Sequence, residues 1–351
     1  MNVANEMRPK IFLAADPARL PFAKAAVPVR GQDIGLRQIP ARLLFGVKSA
    51  ANRRQQNTMG DTTEISWTDS TFNPWIGCQH VSPGCDHCYA EAQNAFRKWT
   101  AGGGWGPHAD RKRTSAATWH KPRLWNAEAL TFALEHGGRR RRVFCASLAD
   151  VFDNQAPKPW RADLFRLIRE TTELDWQILT KRPENITKML PADWGDGYAN
   201  VWLGATAEDA ERFRPRWSIL SRIPAARRFI SYEPAIAPLG AIDISKANCL
   251  PDWLICGGES GTRARIVHPA WARHVRDQCR ALGIAFLHKQ WGTYQSNPLV
   301  QEDGLSPAEA KRRDPPNNGK GGGLLDGRLH REFPGEQHAN TSARARIAPP
   351  A

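Results

Sequence analysis

No stretch of this 351-residue sequence holds an apolar run near the roughly 18 residues that a membrane-spanning helix needs, so an integral membrane protein is excluded. The short apolar stretch Ile11-Phe12-Leu13-Ala14-Ala15 is cut off by Asp16 and Pro17, too soon for the core of a secretory signal. Cysteine is scarce and odd in number, seven in a chain far larger than the small scaffolds that disulfides staple. That argues against a disulfide framework and for a reducing compartment, with the cytoplasm as the expected location and metal or cofactor binding as the use of any clustered thiols. Acidic residues are also in deficit: 35 Asp and Glu face 49 Lys and Arg, a net charge of +14. Half of the excess lies in residues 1–58, where three Lys and seven Arg oppose Glu6, Asp16 and Asp33. A basic surface attracts nucleic acid and other polyanions, but half of this one lies in a segment that need not belong to the fold.

Residues 1–58 carry neither a helical nor a strand period, and the character changes at Met59 to Trp-rich, motif-bearing sequence. We read them as a disordered extension or a reading frame begun too early, with a basic partner-binding tail as the alternative. From Val143 onward, short apolar runs rich in β-branched and aromatic residues recur every 24 to 33 residues. They are centred on Phe144, Ile178, Leu203, Ile230, Ile255 and Phe286, and Glu64-Ile65-Ser66-Trp67 is a candidate earlier strand. Near-continuous apolar strands suit a parallel sheet covered on both faces. Between them, residues 160–172 and 269–282 place apolar side chains on one stripe, as helices do. The pattern predicts an α/β fold, a partial or complete TIM-like (β/α) barrel of about six to seven parallel strands over residues 59–292. Residues 293–334 read as an irregular extension and 335–351 as a disordered tail.

The strands run at their C-terminal ends into Asp150, Lys181-Arg182, Glu208-Asp209, Glu233-Pro234, Gly258-Glu259-Ser260 and Lys289-Gln290-Trp291. In a barrel these ends converge on one face, where the active site sits. Taken singly, each residue is more often a helix cap or a solvated charge; six ends in succession make the collective reading the stronger one.

The sharpest local feature is Cys78, Cys85 and Cys88, spaced C-x6-C-x2-C in a stretch that includes Pro83 and Gly84. Thiolates gathered this tightly repel or oxidise unless a soft metal holds them. Two centres fit: a [4Fe–4S] cluster on three Cys with one iron left open, or zinc with His80, His87 or His120 as a fourth ligand. Cys145, Cys249, Cys256 and Cys279 are left out of the site: Cys145 and Cys256 lie in predicted strands and Cys279 on an apolar helix stripe, as buried small hydrophobes do.

A three-Cys loop that opens a run of βα units resembles the radical S-adenosylmethionine superfamily. The sequence is more closely similar to a phage-type family of radical-SAM-like proteins. The resemblance is carried by Trp67-Thr68-Asp69, Asn73-Pro74-Trp75-Ile76-Gly77-Cys78, Ser82-Pro83-Gly84-Cys85, Cys88-Tyr89-Ala90-Glu91, Thr180-Lys181-Arg182-Pro183, Glu233-Pro234, Gly257-Gly258-Glu259-Ser260-Gly261 and Lys289-Gln290-Trp291-Gly292. The superfamily's usual loop is C-x3-C-x2-C with an aromatic before the last Cys; here the first gap is three residues longer and His87 stands in that place.

The resemblance implies that Cys78, Cys85 and Cys88 each ligate an iron of a [4Fe–4S] cluster that, fed by an external electron donor, cleaves S-adenosylmethionine reductively to a 5′-deoxyadenosyl radical acting on a substrate. It further implies that Gly257, Gly258, Glu259 and Glu233 meet the cofactor's ammonium or ribose hydroxyls. Lys181, Arg182 and Lys289 would offset its carboxylate or grip an anionic, nucleic-acid-like substrate, with Asp150 and Gln290 as polar partners. A zinc-stabilised nucleic-acid-binding protein without catalysis is the rival reading, favoured by the Arg111-Lys112-Arg113 and 139–142 basic runs and the abundant Trp. A cluster-bearing protein that has lost catalysis is the third.

Overall fold

In the computed structural model, residues 63–101, 103–243 and 249–336 are described; the expected extension over 1–58 and residues 337–351 of the expected tail lie outside them. Nine strands follow one another among the described residues: β1 (Ser70–Phe72), β2 (Trp75–Ile76), β3 (Lys112–Arg113), β4 (Arg141–Cys145), β5 (Leu174–Thr180), β6 (Val201–Thr206), β7 (Arg227–Tyr232), β8 (Trp253–Gly257) and β9 (Ala285–Gln290). Interleaved with them are helices α1 (Tyr89–Arg97), α2 (Ala116–Ala127), α3 (Ala129–Glu135), α4 (Lys158–Glu170), α5 (Pro183–Met189), α6 (Ala210–Leu220) and α7 (Pro269–Leu282). Two short helices, α8 (Pro298–Gln301) and α9 (Pro307–Arg313), come after β9. No helix among the described residues is long and apolar enough to cross a membrane.

Seven strands form one sheet in the order β1-β4-β5-β6-β7-β8-β9, every neighbouring pair parallel. Because strand order follows chain order and parallel crossovers are right-handed, the connecting helices stack on one face and the sheet curls into a half-barrel. Strand alternation then sorts the side chains. Val143, Ile178, Leu203, Ile230, Leu254 and Phe286 join the helix-side core with Leu164 and Ile168 of α4 and Val275 and Cys279 of α7. Phe144, Trp202, Phe229, Trp253, Ile255 and Leu287 point the other way and form a second, aromatic cluster inside the curl. Gly204 makes room for it: a Cβ there would lie 2.3 Å from the Phe229 ring.

Six of the seven sheet strands fall on the apolar runs, but the expected strand at Glu64-Ile65-Ser66-Trp67 is not one. Its backbone turns, with the Thr68 N–H donating to the Ile65 carbonyl at 3.2 Å, and β1 begins at Ser70. Trp67 explains the difference. Its ring is buried against Phe144 (4.5 Å between centroids) and edge-on to Trp253, where it packs into the half-barrel instead of extending the sheet. The segment after α9 covers the open edge: His288 and Glu332 donate backbone N–H groups to His330 and Phe286, and Leu287 bridges antiparallel to Arg331.

The basic runs are internal ties. Arg139 pairs in a fork with Asp69 (2.7 Å for both bonds), Arg140 with Asp175, and Arg142 with Glu336 while stacking 3.6 Å over Phe333; Arg141 lies 4.3 Å over Phe132. Arg111 is buried on Asp153, and Arg113 pairs with Asp163 over the Trp119 ring. The Trp residues likewise serve the core, ten of them buried, Trp67, Trp75, Trp176, Trp253 and Trp291 almost completely. These were the features that favoured a nucleic-acid interface.

Asp69 fastens the start of β1 to β4, accepting also from the Arg142 N–H at 2.8 Å. Burial pushes its carboxyl up, but Arg139 and that N–H pull harder and hold it below its ordinary value. A carboxylate depressed in the folded state stabilises the fold above its unfolded pKa, and the contribution is lost as pH falls through the folded value. Asp69→Asn is therefore expected to lower the unfolding free energy at neutral pH. It should also flatten the fall below about pH 4, as read by urea denaturation across a pH series.

Candidate metal centre

A cavity of about 160 Å³ opens at the C-terminal ends of the strands. Trp67, Phe144 and Leu179 line its inner part, and Cys78, Cys85 and Cys88 all face it. So do Asp150, Lys181, Arg182, Glu233 and Lys289, which the strand-end pattern had singled out. Among the described residues no group of three or more His, Cys, Asp or Glu side chains is drawn in tightly enough to hold a single metal ion.

Cys78 follows β2 and is held by its backbone. Gly77 N–H donates to the Leu148 carbonyl at 3.1 Å, Cys78 N–H to Gly104 at 2.9 Å, and Gly106 N–H back to Cys78 at 2.9 Å. Gly77 must be glycine: its φ is +118°, and a Cβ would meet the Gly104 oxygen at 2.3 Å. Asn73, in the same motif, joins the loops after β1 and β4 by accepting from the Leu148 N–H at 2.7 Å.

The other two thiols sit in a tight turn that runs into a helix. Pro83–Cys85 is a short 3₁₀ turn, Cys88 N–H donates to the Cys85 carbonyl at 3.2 Å, and Cys88 is the N-cap of α1. That puts its sulfur at the positive end of the helix dipole. Burial pushes the Cys88 thiol up from its ordinary value and the Cys78 thiol up to about 12, in the latter case with help from the Asp150 carboxylate.

Three strand ends hold this thiol loop. After β5, buried Arg182 donates to the Gln79 carbonyl at 2.7 Å, to Asp150 at 2.8 Å and to the Cys78 sulfur at 3.6 Å. After β6, fully buried Glu208 accepts from Gly84 N–H at 3.3 Å and from Arg216 at 2.8 Å. Burial pushes the Glu208 carboxyl up, but Arg216 beside it leads the forces that bring it below its ordinary value. After β8, Glu259 takes Arg265 in a fork (2.6 and 3.0 Å) and lies 2.9 Å from His87, while Arg265 also donates to the Pro83 carbonyl at 2.9 Å.

The remaining charges face the cavity. Lys289 pairs with Glu233 at 2.9 Å, and the Ser231 hydroxyl donates to the same carboxylate at 3.3 Å. Lys181 reaches the Thr206 hydroxyl at 3.5 Å, and among the described residues no carboxylate lies within ion-pair distance of its ammonium.

The family model described as "Protein of unknown function (DUF5131)" matches residues 62–334. The chain belongs to that family. No curated protein matches it. Among solved structures it is similar to spore photoproduct lyase complexed with dinucleoside spore photoproduct, at 9% identity and a TM-score of 0.38, over 65% of each chain. It therefore spans less than two thirds of that lyase. It is also similar to a double mutant of the lyase with bound AdoMet and the same dinucleoside, at 9% identity and a TM-score of 0.41, over 65% of this chain and 76% of that one.

In this DUF5131 member four of the expected site residues do not line the cavity: Gly257, Gly258, Glu259 and Gln290. Gly257 leaves space for Glu233, whose carboxylate oxygen would meet a Cβ at 2.7 Å, and Gly258 admits the Trp291 carbonyl, 2.1 Å from where a Cβ would stand. Gln290 donates to the Gly258 carbonyl at 3.4 Å and accepts from the Lys320 N–H. Of the histidines offered as zinc ligands, His80 lies 2.7 Å from Glu91, His87 is on Glu259, and His120 is exposed on α2. Sequence reasoning missed Glu208 as a loop anchor, although it stands at a strand end, read Arg111 only as part of a basic run, and missed Arg265 altogether.

Proposed function

We propose that the chain is a radical-SAM-like iron–sulfur enzyme in which Cys78, Cys85 and Cys88 hold a [4Fe–4S] cluster. The cavity beside them takes S-adenosylmethionine and a substrate bearing an anionic group. The observation that carries this reading is the convergence of three thiols, separated by six and two residues, on one cavity at the C-terminal mouth of a half-barrel. The donor set fits: three soft sulfurs suit iron, and a cluster spreads them over three metal atoms where zinc would gather its ligands onto one.

When bound, the cluster and the sulfonium nucleotide supply one-electron cleavage of a carbon–sulfur bond and, from it, hydrogen abstraction. The chain's own residues do the rest. Arg182, Glu208 and the Glu259–Arg265 pair brace the thiol loop from three strand ends, so Glu259 acts on the loop and not on the cofactor's amino group. Glu233, exposed to the cavity beside Lys289, offers its carboxylate to an ammonium or a ribose hydroxyl. Lys181, which reaches the Thr206 hydroxyl and among the described residues has no carboxylate within ion-pair distance, meets the anionic group. Trp67, Phe144 and Leu179 keep water from the inner end of the site. The electron comes from an external donor.

The test is anaerobic reconstitution of the chain with iron and sulfide. The expected result is a brown protein with about four irons and four acid-labile sulfides per chain and a dithionite-dependent paramagnetic signal. Colourless protein loaded with zinc, or no metal at all, defeats the reading.

A further inference from the structure

We propose that the buried Asp150–Arg182 pair sets the reduction potential of the cluster, by way of the N–H that Arg182 donates to the Cys78 sulfur. The inference rests on the cluster reading above and assigns Asp150 and Arg182 a task distinct from gripping cofactor or substrate.

The geometry leaves the pair little freedom. Arg182 is 3% and Asp150 5% exposed. One guanidinium nitrogen serves both Asp150 (2.8 Å) and the Cys78 sulfur (3.6 Å), and the other holds the Gln79 carbonyl at 2.7 Å. Asp150 is pinned in turn by the Thr180 hydroxyl at 2.7 Å and by the N–H groups of Phe152 at 2.9 Å and Lys181 at 3.2 Å. Strand alternation at the end of β5 explains why neighbouring cations differ: Lys181 points along the cavity wall toward Thr206, while Thr180 and Arg182 turn to Asp150.

Reduction of the cluster by one electron, taken from an external low-potential donor, adds one negative charge next to Cys78. A cation and an N–H bond at a ligating sulfur stabilise that added charge and raise the potential, whereas a carboxylate opposes it. Burial strengthens both effects, because the surroundings screen charge far less than water does. Arg182 and Asp150 therefore act with opposite sign on one sulfur.

The experiment compares the full chain with Asp150→Asn and Arg182→Gln after anaerobic reconstitution. Iron and sulfide content is measured first, then the midpoint potential by dithionite titration followed by paramagnetic resonance. Asp150→Asn is expected to raise the potential and Arg182→Gln to lower it, with cluster content retained. Loaded variants whose potentials match the parent, or move in the same direction, overturn the inference and leave the cluster reading standing. Should Arg182→Gln fail to fold, Asp150→Asn decides alone: an unchanged or lowered potential overturns it. A parent chain that takes up no cluster overturns the inference together with the reading beneath it.

Discussion

Alanine at any one of Cys78, Cys85 or Cys88 is expected to reduce bound iron and labile sulfide from about four of each per chain to background, with loss of the brown colour. Three protein thiolates leave such a cluster an open corner, and among the described residues no fourth cysteine lines the cavity. Of the other cysteines, Cys145, Cys256 and Cys279 are completely buried in the helix-side core, and burial pushes each of their thiols up. Cys249 lies 3.6 Å from the Ser221 carbonyl, beside the same core. Cys279→Ala is accordingly expected to keep full iron, which makes it the control. Iron and sulfide assays on the four single variants check the pattern; an alanine variant of the motif that keeps the parent's iron and signal removes that residue from the centre. If zinc, not iron, follows the three thiols, the rival zinc-stabilised protein is the correct account.

Much of the frame that positions these thiols was legible because it is local. Continuous apolar runs marked β4 to β9, since each is buried on both faces, and a stripe of apolar residues marked α7 over its observed bounds. The strand-end charges were legible for the same reason: parallel strands must all finish on one side, and Asp150, Lys181, Arg182, Glu233 and Lys289 do meet there. What was not legible depends on distant pairing. Trp67 reads as a strand residue until Trp253, 186 positions away, gives it a place inside the half-barrel. Glu259 reads as a ligand-facing carboxylate until Arg265 and His87 occupy it. The β2–β3 ribbon has two residues per strand and no period to detect. The glycines at 257 and 258 resemble a binding motif, yet Gly257 makes room for the Glu233 carboxylate and Gly258 for the Trp291 backbone carbonyl.

The largest single loss of stability is expected at Arg111, for a reason that also bears on the thiols. Its Nε lies 2.7 Å from Asp153, with both side chains fully buried, and its Nη1 donates to the carbonyls of Gly104, Gly106 and Ala109 at 3.1, 3.3 and 2.6 Å. Gly104 and Gly106 are the residues that bracket the Cys78 backbone, so one guanidinium holds both a buried carboxylate and the loop behind the first thiol. Arg111→Met fills similar space but leaves Asp153 charged in a dry site, a defect that costs about 3–5 kcal/mol. A domain of this size holds only about 5–15 kcal/mol in all, so the variant should unfold at much lower urea. The penalty has two parts, and a second substitution separates them. Asp153→Asn keeps a side-chain oxygen for the Gln155 N–H, which now donates at 3.0 Å, while removing the stranded charge. Arg111→Met/Asp153→Asn is therefore expected to recover part of the lost stability and none of the loop bracing. In urea titrations of the metal-free chain the double variant should be more stable than Arg111→Met. After reconstitution both should hold iron more weakly than the parent. A double variant no more stable than the single one would mean that the uncompensated carboxylate is not what makes the loss large.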